Sequence, residues 1–215
     1  MDTFINGSSK EAIGDGMAKV LIATLYSPDP VLLAATRLGP NRLILLIDKE
    51  KNAEQEKGLK LIMESLGRVI DVKAVKTEVY DIVEVARKCV EIIDMQPKDD
   101  KIFINITSGR KTKALGLLFA SYARADRVRK IAYNPEEDKN AIVYLPKMSF
   151  HLTESQKKVL ESIEQHGNLS YADLADKIGI SKAMLYKNIE DLNDMDMISV
   201  EDGLKLTDAG KIARL

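Results

Sequence analysis

Between Lys19 and Leu145 short apolar runs of strand length alternate with longer segments of helical period. The strand-like runs are Lys19 to Leu25, Arg42 to Asp48, Val69 to Thr77, Lys101 to Thr107, Arg129 to Asn134 and Ala141 to Leu145. The helical segments between them are Pro30 to Leu38, Ala53 to Leu66, Tyr80 to Met95 and Arg110 to Asp126. In the third of these, Ile82, Val85, Ala86, Cys89 and Ile93 fall on one face at helical spacing. Strands and helices that alternate at these lengths imply a parallel sheet covered on both sides. The last two runs, separated by Pro135 to Asn140, read as a hairpin closing one edge.

After Pro146 the rhythm changes. Thr153 to Gln165 and Ser170 to Lys177 read as two helices, and Gly179 and Ile180 as a tight turn. Ser181 then caps a third helix with Leu185, Ile189 and Leu192 inward. Asp202 and Gly203 mark a hairpin between Ile198 to Val200 and Leu204 to Leu206. The expected architecture is α/β: a Rossmann-like, mostly parallel sheet with a terminal β-hairpin over residues 18–147, followed by a smaller winged helix-turn-helix domain over 151–215. Residues 1–17 have no clear period, carry Gly7, Gly14 and Gly16, and are expected to be a disordered tail in which Met17 is an alternative natural start to Met1.

Composition narrows the function classes. Hydrophobic residues make up 45% and charged residues 30%, ordinary globular usage that supplies a core and excludes a disordered chain. The longest apolar runs, such as Leu43 to Ile47 and Leu115 to Ala120, fall short of the ~18 residues of a membrane helix. There is no secretory leader pattern, and a single cysteine forms no internal disulfide, so a cytoplasmic location is expected. The net charge of -1 does not announce a nucleic-acid binder. From His151 onward 8 Lys and Arg face 12 Asp and Glu, so any DNA contact there must come from a locally basic face.

The stretch Ile102 to Lys113, IFINITSGRKTK, is where an apolar strand ends in polar residues before a basic helix start. Open parallel sheets bind ligands at such strand carboxyl ends, and a helix amino end offers unpaired N–H groups to an anion. Ser108 and Gly109 allow a tight turn close to a ligand, and Asn105 and Thr107 project from one strand face. Arg110 and Lys111 place cations where the helix dipole is already positive, an arrangement that suits a bound phosphate. A nucleoside triphosphate loop would need glycines where Asn105 and Arg110 stand, and the first strand is followed by Tyr26, Ser27, Pro28 and Asp29 rather than a glycine-rich dinucleotide turn.

Asn105, Thr107 and Lys111 match the signature of the CRISPR-associated Rossmann-fold (CARF) family: Asn or Asp, Ser or Thr two residues later, Lys or Arg four after that. The sequence resembles this family over Lys19 to Lys147, and the appended winged helix is similar to that of the CARF transcriptional regulators, found mostly in archaea. The resemblance implies a two-fold homodimer that binds a cyclic oligoadenylate across its axis at the Asn105, Thr107 and Lys111 motif; the junction is expected to add contacts from Ser108, Gly109 and Arg110, and the neighbouring loop one from Ser27. It implies no bound cofactor and leaves activation and repression equally open. Two alternatives stay open: a metal-independent ring nuclease that cleaves the cyclic ligand, although no histidine in the motif offers a base, and a regulator sensing another small anion.

In a winged helix the third helix enters the major groove with its amino-terminal residues foremost. Here those are Ser181, Lys182, Met184, Tyr186 and Lys187, with Lys182 and Lys187 suited to phosphates of double-stranded DNA and Met184 to a thymine methyl. Glu190, Asp191, Asp194 and Asp196 repel DNA farther along, so only the front of the helix can dock; a protein-interaction role is the alternative. Cys89 reads as a core residue, and His151 and His166 lack the neighbours that a metal site needs. Asp48 and Glu50 read as a solvated strand end rather than ribose ligands. No catalytic residue is expected.

Overall fold

A computed structural model describes residues 17–135, 137–138, 141–146, 148, 152–167, 169–201 and 203–215. Residues 1–16 of the expected tail, Asn140 in the hairpin loop, Lys147, His151 and Asp202 in the wing turn lie outside the described residues. The first part of the chain runs β1 (Lys19–Thr24), α1 (Pro28–Leu38), β2 (Arg42–Asp48), α2 (Ala53–Leu66), β3 (Asp71–Thr77), α3 (Ile82–Asp94), β4 (Lys101–Asn105), α4 (Lys111–Ala123), β5 (Val128–Tyr133) and β6 (Val143–Leu145). These strands form one sheet in the order β3-β2-β1-β4-β5-β6, parallel except for the antiparallel β5/β6 pair. The expected mostly parallel sheet and edge hairpin are both present, with β6 shorter than its apolar run.

Strand periodicity divides the core. Val20 and Ile22 on β1 and Ile102 and Ile104 on β4 point to the side covered by α3 and α4, where Cys89, Val85 and Leu117 are also buried. Leu21 and Ala23 point to the other side, against Val31 and Ala35 of α1 and Ile62 of α2. Because α1 and α4 leave neighbouring strands for opposite faces, the carboxyl ends of β1 and β4 mark the topological switch point of the sheet, where sheets of this kind have their ligand crevice.

The second part runs α5 (Glu154–His166), α6 (Tyr171–Ile178), α7 (Lys182–Asp194), β7 (Ile198–Ser199), β8 (Lys205–Leu206) and α8 (Asp208–Ala213). Each α5–α7 start carries a side-chain cap, from Thr153 in a full capping box with Gln156, from Ser170 and from Ser181. Their apolar faces, including Val159, Leu160, Leu174, Leu185 and Leu192, close a separate core. The β7/β8 ribbon pairs Ile198 with Leu206 and forms the wing. Helix α8, which the sequence pattern does not announce, packs on α3 and α4, and Leu215 joins their core. Polar contacts finish this seam: Glu164 pairs with Arg87 and Arg214, and Arg124 donates to the Leu215 carbonyl while holding Asp94 at 2.8 Å. Among the described residues no helix is long and apolar enough to cross a membrane.

Helices α3 and α4 approach closely because Gly116 has no side chain: a Cβ there would lie 2.5 Å from Val85 Cγ1 and 2.9 Å from Val85 Cβ. Overpacking costs ~1–3 kcal/mol and the better helix propensity of alanine returns ~1 kcal/mol, so Gly116→Ala should lose stability on the order of 1 kcal/mol. A thermal melt should show a midpoint lowered by about 2–4 °C; an unchanged or raised midpoint would mean that Val85 has room to move.

Candidate functional site

Strand β4 ends at Asn105, so Thr107 is not a strand residue sharing a face with it. The two are nevertheless joined. The Asn105 side-chain carbonyl accepts from the Thr107 backbone N–H at 3.0 Å, and its amide donates to Asn134 Oδ1 at 3.0 Å. The Asn134 backbone N–H donates to Thr107 Oγ1 at 2.8 Å. Asn134, one residue beyond β5, thus locks the loop after β4 to the neighbouring strand. Asn105 is buried, and its polar atoms shape the loop from within.

Ser108 acts in the other direction. Its hydroxyl accepts from the Tyr26 and Ser27 N–H groups, both at 2.9 Å, and donates to the Ser27 carbonyl at 2.9 Å. The Thr24 hydroxyl donates to the Ser108 carbonyl. Gly109 has φ +99°, and a Cβ there would lie 2.9 Å from Thr24 Cβ, so only glycine lets the two loops meet this closely. Ser27 and Ser108, expected on adjacent loops, are side by side. Ser27 is exposed and caps α1 without a side-chain hydrogen bond.

Arg110 and Lys111 diverge. Arg110 turns toward β2, where Nε lies 3.0 Å from Asp48 Oδ2. Lys111, the first residue of α4, is exposed and makes no hydrogen bond or ion pair among the described residues. The expectation that Asp48 is a solvated strand end is overturned: it is buried at the end of β2, because two cations from the β4–α4 junction converge on it. The second is Lys113, which is 0% exposed. Its Nζ lies 2.9 Å from Asp48 Oδ1, donates to Thr77 Oγ1 at 2.8 Å and also reaches the Ile47 carbonyl. Burial pushes the Asp48 carboxyl up, but hydrogen bonds from Lys113 and Arg110 outweigh it and hold the group below the ordinary carboxylate value. Burial pulls the Lys113 ammonium below its ordinary value, with the Asp48 carboxylate opposing. Glu50 remains exposed.

The amino end of α4 is therefore braced from beneath and open above. Its cap residue, Arg110, makes no side-chain capping bond, and its first turn holds no acid. Helices α2 and α3 are capped by Asn52 and Asp81, so the uncapped starts in the sheet region are those of α1 and α4, on either side of the crevice. Uncapped N–H groups, a positive helix end and a free lysine can receive an anion.

On the winged unit Ser181, Lys182, Met184, Tyr186 and Lys187 are all exposed at the front of α7. Tyr186 meets the Tyr171 ring edge-on at a centroid distance of 5.3 Å, which fixes its direction. The Ser181 hydroxyl accepts from the Met184 N–H at 3.2 Å, so it is already engaged as the helix cap.

Sequence reasoning misread Asp48 and missed the roles of Lys113 and Asn134. Lys113 stands in the first turn of α4 and Asn134 just beyond β5, so a search of all polar residues at the carboxyl edge would have raised them. Asp48→Asn should leave Lys113 buried without its carboxylate, at a cost of about 3–5 kcal/mol. Because the folded-state value of Asp48 is lowered, its stabilisation is present above the ordinary carboxylate range and lost as pH falls through the lowered value. Urea unfolding should show the full deficit at neutral pH and a narrowing gap to wild type in acid; a gap independent of pH would assign the loss to packing.

The chain matches the profile of the HFX_2341-like N-terminal family (HFX_2341_N) over residues 20–138. A profile of winged helix-turn-helix DNA-binding domains matches residues 152–199. No curated relative matches the sequence. Similar solved structures include Can2 from Sulfobacillus thermosulfidooxidans in complex with cyclic tetra-adenylate, at 15% identity and TM-score 0.48, over 90% of this chain and 62% of that one. Another is Enterococcus italicus Csm6 bound to cyclic hexa-2'-fluoro-hexa-dAMP, at 13% identity and TM-score 0.48, over 85% and 56%. A third is protein VC1899 from Vibrio cholerae, at 12% identity and TM-score 0.49, over 91% and 64%. The chain thus spans about three fifths of the length of these structures. The match over more than half its length makes this chain a member of the HFX_2341-like N-terminal family, with a winged helix-turn-helix following the family domain.

Proposed function

We propose that this protein is a ligand-responsive, DNA-binding transcriptional regulator, CRISPR-associated, that senses a cyclic oligoadenylate at the amino end of α4. The observation that carries the reading is Lys111: an exposed cation without a partner among the described residues, on an uncapped helix end at the topological switch point. Asp48 takes up Arg110 and Lys113, so the charge left over for an incoming phosphate is that of Lys111. The Asn105, Thr107 and Lys111 motif supplies the ligand class through its CARF resemblance. A ring of adenylates presents equivalent phosphates, which suits two copies of this junction facing each other across a dimer axis.

The polar atoms nearest the junction, those of Asn105, Thr107 and Ser108, are engaged in holding the loop, which favours binding over cleavage. A ligand of this kind shifts the winged unit between states only by binding one of them more tightly. The winged unit offers DNA the front of α7, where Lys182 and Lys187 reach phosphates.

Calorimetry with cyclic tetra-adenylate and cyclic hexa-adenylate should show tight binding of one ring per two chains, lost in Lys111→Ala; binding of neither ring overturns the reading. On duplex DNA, Lys182→Ala and Lys187→Ala should each flatten the dependence of log affinity on log salt by about 0.9. Unchanged slopes would instead assign the winged unit to a protein partner.

A further inference from the structure

We infer that Tyr26 and Tyr80 form a pair of base-stacking platforms beside the Arg110–Lys111 junction, taking purine bases of a nucleotide whose phosphate lies at Lys111; this rests on the nucleotide reading of that site. Tyr26 is 43% exposed and Tyr80 75% exposed. Single exposed aromatics are common and carry no message of their own. These two share an address. Tyr26 precedes α1 and Tyr80 precedes α3, and both loops are hydrogen-bonded to the segment after β4. The Tyr26 N–H donates to Ser108 Oγ at 2.9 Å, and the Thr112 hydroxyl donates to the carbonyl of Val79, the residue before Tyr80.

The Tyr80 ring also meets the Arg110 guanidinium. Arg110 Cζ lies 5.7 Å from the Tyr80 ring centroid, and its NH1 donates to the Tyr80 hydroxyl at 3.4 Å. Arg110 is held in turn by buried Asp48, which Lys113 anchors from below. Aromatic faces and an arginine plane on a braced base are the elements with which proteins stack nucleobases. A small inorganic anion would use Lys111 and leave the rings idle, so the tyrosines favour a ligand that carries bases.

The test is calorimetry with cyclic tetra-adenylate, cyclic hexa-adenylate, 5'-AMP and base-free pyrophosphate against wild type, Tyr26→Ala, Tyr80→Ala, Tyr80→Phe and Lys111→Ala. Each tyrosine-to-alanine change should weaken an adenine-bearing probe by about tenfold or more, with pyrophosphate unaffected. Tyr80→Phe keeps the ring and should keep the affinity, separating stacking from the hydroxyl contact with Arg110. The rings are exposed, so the variants should melt like wild type. Cyclic ligand binding that Lys111→Ala abolishes and both tyrosine-to-alanine variants retain overturns the stacking pair and leaves the sensing reading intact. Tyrosine-dependent binding of 5'-AMP without binding of either ring supports the pair and overturns the cyclic ligand. No binding of any adenine-bearing probe overturns both.

Discussion

The contact of Asp48 with Lys113 and Arg110 governs the geometry of the whole carboxyl edge. Bringing an ammonium and a carboxylate out of water costs several kcal/mol per ion, recovered only when each charge meets well-placed partners. Lys113 has them in Asp48, Thr77 and the Ile47 carbonyl, so one side chain ties the first turn of α4 to the ends of β2 and β3. Asn134 and Asn105 tie the preceding loop to β5. The junction is fastened on both flanks, and what remains free at its crest is Lys111 and the uncapped backbone.

Local rules hold across most of the molecule and lapse where the crevice lies. Helices α2, α3, α5, α6 and α7 begin with Asn, Asp, Thr or Ser side chains bonded to their first N–H groups. Helices α1 and α4 do not, and α4 puts lysines into a turn that the helix dipole disfavours for cations. Departures from local preference concentrated at one place are the mark of a site shaped for something other than stability.

The sheet was legible because its central strands β1, β2 and β4 are nearly continuous apolar runs and its helices carry a clear stripe, as on α3 with Val85, Ala86, Cys89 and Ile93. The winged unit was legible through its caps and turns, such as Ser181 and Gly179. Helix α8 was not, because six residues beginning at Asp208 give too short a stripe to read. Lys113 looked like any helix lysine: what buries it are residues at the ends of β2 and β3, far upstream in sequence. Asp48 was misread for the same reason, since its partners come from a helix more than sixty residues away. Periodicity reports which face of an element is inward; it does not report which distant charge will arrive there.

Helix α4 begins at the crevice and ends at Ala123, beside Arg124, which grips Asp94 and the backbone of Leu215. Its thirteen residues make a rod roughly 20 Å long. The carboxyl edge of the sheet and the seam with the winged unit therefore sit at the two ends of one helix, with Gly116 setting how closely that helix packs on α3.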